Sequence, residues 1–132
     1  MATGGLVVAD TDLVIDYLRD HDPGASWIQA AGSQGRLRLT SVTAFELRVG
    51  SDFGGRRTRI ETLLRGRTLP FDAPAAMEAG AIFLKLEREG EGIGIKDSLQ
   101  AGICRRFDLP LATRNVRHFE RVPGLTIAQL ER

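Results

Sequence analysis

The chain has 132 residues, enough for one ordinary domain with a real core. Its composition, 42% apolar and 27% charged with no low-complexity tract, excludes a disordered or fibrous chain. The formal net charge is only +1, so the molecule as a whole is not a polycation.

Leu6 to Ala9 is a short apolar run of the kind a parallel sheet buries on both faces. From Thr11 to Arg19, residues Leu13, Val14, Tyr17 and Leu18 fall at helical spacing. Pro23 opens a second helix near its N1 position, with Trp27 and Ile28 facing inward and Gly32 at its end. Leu37 to Val42 alternates and predicts a second strand. Thr43 to Val49 predicts a helix, broken at Gly50 and followed by a flexible turn at Gly54-Gly55. Thr58 to Leu64 is a basic helix with Ile60, Leu63 and Leu64 on its apolar side. Thr68 to Phe71 predicts a third strand. Asp72 then caps a long helix from Ala75 to Glu89, with Ala79, Ile82, Phe83 and Leu86 on its inner face. A glycine-rich loop from Gly90 to Ile95 leads to a helix from Ser98 to Phe107, with Leu99, Ile103 and Phe107 in register. Leu109 to Thr113 is a fourth strand and Gly124 to Ile127 a short fifth. No repeat or dividing linker interrupts this order, so residues 1–132 are expected to form a single domain.

All but two of the 18 basic residues are arginine, the exceptions being Lys85 and Lys96. They cluster between Arg48 and Arg67 and again from Arg105 to Arg132. Arginine forks suit phosphate, although a solvated surface is the ordinary use of any one of them. Cys104 is the only cysteine, which excludes an intramolecular disulfide or a Cys-built metal site and leaves a small core residue. No apolar run approaches the roughly 20 residues of a membrane span, and no secretory leader is visible at the N-terminus. A reduced, cytoplasmic protein with no membrane role is the resulting expectation.

Strands alternating with helices predict a parallel sheet covered on both faces, joined by right-handed crossovers. In such sheets ligands bind beyond the carboxyl ends of the strands. Asp10 follows the first strand, Glu46 lies in the turn of helix after the second, and Asn115 follows the fourth. The helix before the fourth strand runs antiparallel to it, so Asp97 at its start lies on the same edge. Each residue also has a purely structural use. Asp10 or Asp12 can cap the first helix, and Asp97 can cap the helix from Ser98. Thr43-Ala-Phe-Glu46 fits a capping box in which Glu46 folds back onto the Thr43 amide, and Asn115 can start a turn. Their coincidence on one edge favours a site. Two carboxylates about 4 Å apart repel by roughly 4 kcal/mol at an effective dielectric of about 20. Three therefore call for a cation or for proton uptake. With no His/Cys set beside them, all-oxygen ligation points to Mg²⁺, with Mn²⁺ as the alternative.

The order of four segments resembles the PIN-domain ribonucleases, specifically the VapC-type toxins of toxin–antitoxin pairs. They are Val8-Ala-Asp10-Thr-Asp12, Ser41-Val-Thr-Ala-Phe-Glu46, Asp97-Ser-Leu-Gln-Ala-Gly102, and Thr113-Arg-Asn-Val-Arg-His-Phe119 followed by Val122-Pro-Gly-Leu125. The likeness runs from Val7 to about Ile127, and the closing segment is its most specific part. It implies a three-layer α/β/α sandwich around a central, mainly parallel five-stranded sheet. It also implies a homodimer and a VapB-type antitoxin that lays a peptide across the active groove. The implied activity is Mg²⁺-dependent hydrolysis of RNA phosphodiesters by metal-activated water, leaving 5′-phosphate and 3′-hydroxyl ends. Asp10, Glu46 and Asp97 match the metal-holding acids. Thr113 and Asn115 match polar positions that orient the metal waters or the first acid, and Thr11 and Asp12 adjoin that acid. Lys96, Arg114 and Arg117 are candidate phosphate contacts. His118 stands where the family's closing signature commonly has Asp; it is either a phosphate or partner contact or a plain surface histidine. His21 has no assigned role.

Two rival readings use the same residues. Asp10-Thr-Asp12-Leu-Val14 after an apolar strand also fits the opening of haloacid-dehalogenase phosphohydrolases, with Asp10 as covalent nucleophile and Asp12 as acid/base. A catalytically inactive relative acting with its antitoxin in DNA autoregulation is the other, motivated by His118.

Overall fold

The computed structural model describes residues 5–130, so the ends of the expected domain, 1–4 and 131–132, lie outside the described residues. Among the described residues the strands are β1 (Val7–Ala9), β2 (Leu37–Thr40), β3 (Thr68–Leu69) and β4 (Leu111–Ala112). The helices are α1 (Thr11–Leu18), α2 (Gly24–Ser33), α3 (Ser41–Val49), α4 (Phe53–Leu64), α5 (Ala73–Arg88), α6 (Ile95–Phe107) and α7 (Val116–Phe119). The sheet order is β3-β2-β1-β4 and every pairing is parallel. Val8 pairs with both Arg38 and Leu111, which makes β1 a central strand. The chain steps outward from β1 to β2 and β3, then returns to lay β4 on the other side of β1. The order therefore reverses between β1 and β4, where open α/β sheets hold ligands.

Strand alternation sends side chains to two separate cores. Val7, Ala9, Leu37, Leu39 and Ala112 pack with Leu13, Val14, Ile28, Leu47 and Ile60 from α1 to α4. Val8 and Leu111 face the opposite way, onto Ile82 and Leu86 of α5, Ala101 and Cys104 of α6, and Phe119 of α7. This is the expected α/β/α layering. Cys104 is wholly buried, as expected for a core residue, and burial pushes its thiol far above the ordinary range.

The expected fifth strand is a correction. Gly124 to Ile127 supplies only one parallel bridge, Leu111 to Ile127, with the Leu111 amide on the Thr126 carbonyl at 2.9 Å. Pro123 and Gly124, the latter at φ 79°, leave too short an extended run for a ladder. Pro70 likewise stops β3 at Leu69. The second strand ends at Thr40 rather than Val42, because Thr40 is the N-cap of α3 and accepts the Thr43 amide at 3.1 Å. Gly54 and Gly55 lie inside α4, which kinks at Arg56 (φ −133°), instead of forming a turn. Pro23 is the residue before α2 rather than inside it; Asp22 accepts the Ser26 amide at 2.8 Å.

Candidate active site

Parallel pairing brings the ends of β1, β2 and β4 to one edge. Asp10 is the N-cap of α1 and is only 9% exposed. Its Oδ1 accepts from the Thr11 amide at 3.0 Å and from Gln100 Nε2 at 3.1 Å. Its Oδ2 accepts from the Thr113 hydroxyl at 2.7 Å. Asp10 is thus a helix cap that also accepts hydrogen bonds from two other elements. Burial pushes its pKa from 3.8 up to about 6; the Thr113 bond opposes this, and the charges of Asp12 and Asp97 add to the rise.

Glu46 overturns the capping-box expectation. The Thr43 amide belongs to Thr40, and Glu46 Oε1 instead accepts from the Thr11 hydroxyl at 2.5 Å. Its other oxygen pairs with Lys96 Nζ at 2.7 Å, a contact that raises the Lys96 pKa. Asp97 does not cap a helix either. Gly94 occupies the N-cap of α6 at φ 90°, a backbone value that favours glycine, and this starts the helix at Ile95. Asp97 therefore sits in the first turn of α6, where its Oδ2 meets His118 Nδ1 at 3.0 Å. His118, partly exposed, is thus held against Asp97.

The remaining candidates divide by what holds them. Thr113 is fully buried, donates to Asp10 and accepts the Asn115 amide at 2.9 Å. Asn115 contributes that amide and leads into α7, a helix the sequence did not announce. Asp12 accepts the Arg114 amide at 3.1 Å, and burial raises its pKa ahead of that opposing bond. The Arg114 guanidinium lies 3.8 Å from Asp12 and 3.4 Å from Asp16, so it clamps the loop after β4 onto α1. Arg117 is exposed and has no ion pair among the described residues.

Gln100 is the residue that sequence reasoning missed. It is 2% exposed and is bonded at once to Thr40, Thr43 and Asp10. A glutamine three residues beyond Asp97, on the inner side of a helix otherwise lined by Ala101, Gly102, Ile103 and Cys104, was the available signal.

The donor set suits a hard divalent cation. It is all oxygen, and its central carboxylate, Asp10, is lifted first by burial, with the charges of Asp12 and Asp97 adding a smaller rise. The acids do not form a ready-made nest: among the described residues no three His, Cys, Asp or Glu side chains gather as a metal cluster. Lys96 instead pairs with Glu46, and the His118 ring is hydrogen-bonded to Asp97.

The PIN domain family model matches residues 7–125. The tRNA(fMet)-specific endonuclease VapC of Shigella flexneri is 36% identical over 98 residues, 70% of this chain and 74% of the relative. Ribonuclease VapC10 of Mycobacterium tuberculosis is 32% identical over 114 residues, 86% of each chain. A solved DNA-bound VapBC from Salmonella typhimurium superimposes with a TM-score of 0.79 at 25% identity, over 96% of this chain and 99% of that one. On this sheet order, this edge of acids and these matches, the chain belongs to the PIN domain family and is of its VapC type.

Proposed function

We infer that the protein is a VapC-type endoribonuclease toxin of a toxin–antitoxin pair, a metal-dependent hydrolase of RNA phosphodiester bonds. The observation that carries the site assignment is the buried carboxylate of Asp10, fixed by Thr113 and Gln100 at the switch point and charge-coupled to Asp97. The divalent cation, Mg²⁺ with Mn²⁺ as the alternative, would be held by Asp10, Asp97 and Glu46 and would supply Lewis acidity and an acidified water. The chain's own groups do the rest. Thr113 and Gln100 set the rotation of the Asp10 carboxylate, and Thr11 aims Glu46. Lys96 and Arg117 offer positive charge to substrate phosphates. Such contacts place a strand without reading its sequence.

The PIN match over residues 7–125 supports one PIN domain across 1–132. No helix among the described residues is long and apolar enough to cross a membrane, which is consistent with action on cytoplasmic RNA. For the antitoxin we favour the apolar groove that reaches Thr113, lined by Pro23, Trp27, Val116 and Ile127 with Asp22 and Glu120 among its polar residues. Its continuity with the site and its acidic residues fit a VapB-type segment carrying apolar and basic side chains. The homodimer is supported by exposed Phe45 and Val49, one turn apart on α3, and by Met77 and Leu84 on one side of α5.

The testing experiment is cleavage of end-labelled RNA by purified protein with and without EDTA. Chelation is expected to abolish cleavage, Mg²⁺ or Mn²⁺ to restore it, and Asp97→Asn to remove it. Cleavage that persists in EDTA overturns the metal reading. The haloacid-dehalogenase alternative gives way to the PIN fold. Equal toxicity of wild type and Asp10→Asn in cells would favour the inactive module.

A further inference from the structure

We propose that Gln100 is a positioning residue that aims the two acids Asp10 and Glu46 at once, through one directional chain of hydrogen bonds. The inference rests on the metal reading above, and extends it to a residue outside the acids themselves. Each proton in the chain has one short acceptor; the Thr40 hydroxyl has a second, Thr43 Oγ1, only at 3.5 Å. The Thr40 hydroxyl accepts the Thr43 amide at 3.1 Å and donates to Gln100 Oε1 at 2.5 Å. That fixes the amide's orientation and turns Nε2 toward the site. Nε2 carries two protons. One goes to Asp10 Oδ1 and the other to Thr43 Oγ1, both at 3.1 Å. Thr43 can then donate only onward, to Thr11 Oγ1 at 2.8 Å. Thr11 in turn donates to Glu46 Oε1 at 2.5 Å.

The reverse orientation would set Oε1 against the Asp10 carboxylate and leave the Thr40 hydroxyl facing an N–H₂ donor. The chain thus has one sense, and it ends on a carboxylate in both directions from Nε2. Its members come from the start of α1 and its cap, from β2, α3 and α6, and Gln100 is the branch point. Gln100, Thr40 and Thr43 are each at most 2% exposed, so water does not compete for these bonds. Any buried amide needs partners, but here both Nε2 bonds lead to acids, one directly to Asp10 and one through Thr43 and Thr11 to Glu46. Groups of this kind, one bond behind the ligands, set ligand orientation, and their loss typically weakens metal binding by about 10- to 100-fold.

The test compares wild type with Gln100→Met, which keeps the volume and removes both arms, and Thr43→Val, which keeps the Asp10 arm and cuts the Glu46 arm. Mn²⁺ uptake by the full chain is titrated by electron paramagnetic resonance, with no RNA present, and folding is checked by circular dichroism. Gln100→Met is expected to bind Mn²⁺ about 10-fold more weakly or worse, Thr43→Val by a smaller factor. In the double variant the two losses are expected to combine to less than their product, because they share one route. Folded Gln100→Met with wild-type Mn²⁺ affinity overturns the proposal. If that variant does not fold, Thr43→Val with unchanged affinity overturns the relay. Wild type that takes up no Mn²⁺ overturns the metal reading first, and this inference with it.

Discussion

Asp10 shows how a buried carboxylate strains the fold that holds it. Its pKa stands near 6 because burial disfavours its charge, an effect the Thr113 bond only partly offsets, and Asp12 and Asp97 add to it. Between about pH 4 and pH 6 the native chain keeps a proton that the unfolded chain has released. Its relative stability therefore falls as pH rises through this window. Above it, with no cation bound, the ionised group costs up to roughly 3 kcal/mol, a shift of about two units. Asp10→Asn removes the charge while an amide can still accept from Gln100 and donate to the Thr113 hydroxyl. We expect this variant to have no nuclease activity, and to be about 1–3 kcal/mol more stable than wild type near pH 7.5 in EDTA. The gain should fade by about pH 4. Urea unfolding across this pH range checks it, and a variant less stable than wild type at the upper end contradicts the account.

At the scale of elements, Asp97 and Gln100 reach the edge on a helix held by one close contact. A Cβ on Gly102 would lie 2.6 Å from Ala79 Cβ and 2.8 Å from the Ala75 carbonyl, so α5 and α6 touch backbone to backbone there. Gly102→Ala is expected to destabilise by about 1–3 kcal/mol. It should also reduce cleavage, because α6 carries Asp97 and Gln100. Trimming the partner as well, with Ala79→Gly, should recover only part of the loss, since the Ala79 nitrogen and Ala75 carbonyl remain in the way. Denaturant midpoints of wild type and the two variants decide this. Full recovery in the double variant would place the contact at side chains alone. The same elements show what the sequence carried. Long periodic stretches such as α1 and α5, with the Asp72 cap bonded to the Ala75 amide at 3.0 Å, were legible because one local rule governs them. Elements decided by tertiary contact were not. The Gly54-Gly55 pair is helical despite its intrinsic preference, the expected fifth strand is a single bridge, and α7 is too short to show a period. The capping-box pattern at Thr43 and Glu46 was present in the sequence, yet Thr40 won the amide and Thr11 took Glu46. The placement of Asp10 after β1 and of Asp97 at the start of α6 was legible from element order. Gln100 stayed hidden because only the packed helix reveals what its amide meets.

For the whole molecule, the near-zero net charge is spent locally as well as summed globally. Arg19 and Arg56 share Asp52, Arg57 holds Glu61, Arg105 holds Glu78, Arg106 holds Asp72, and Arg114 lies between Asp12 and Asp16. Arg59 and Arg67 donate to backbone carbonyls. The arginine clusters of the sequence are therefore mostly structural, and an RNA strand meets few uncommitted cations near the acids. Arg117 on α7 is exposed, and so is Lys96 beside Glu46; on the proposed reading these two would meet phosphates. With about two phosphates neutralised, binding of a single strand should lose affinity with log salt at a slope of roughly −1.4. Filter binding in the Asp10→Asn background, where cleavage cannot consume the probe, measures this. Arg117→Ala should weaken binding alike for all RNA sequences and flatten the slope by about 0.7. Arg114→Leu should act differently: it frees the loop after β4 and leaves Asp16, 7% exposed, without its cation. It should therefore lower the melting temperature more than it changes the salt slope. A wild-type slope steeper than about −4 would mean that the paired arginines release their carboxylates on binding, and that the charge clusters of the sequence form the RNA surface after all.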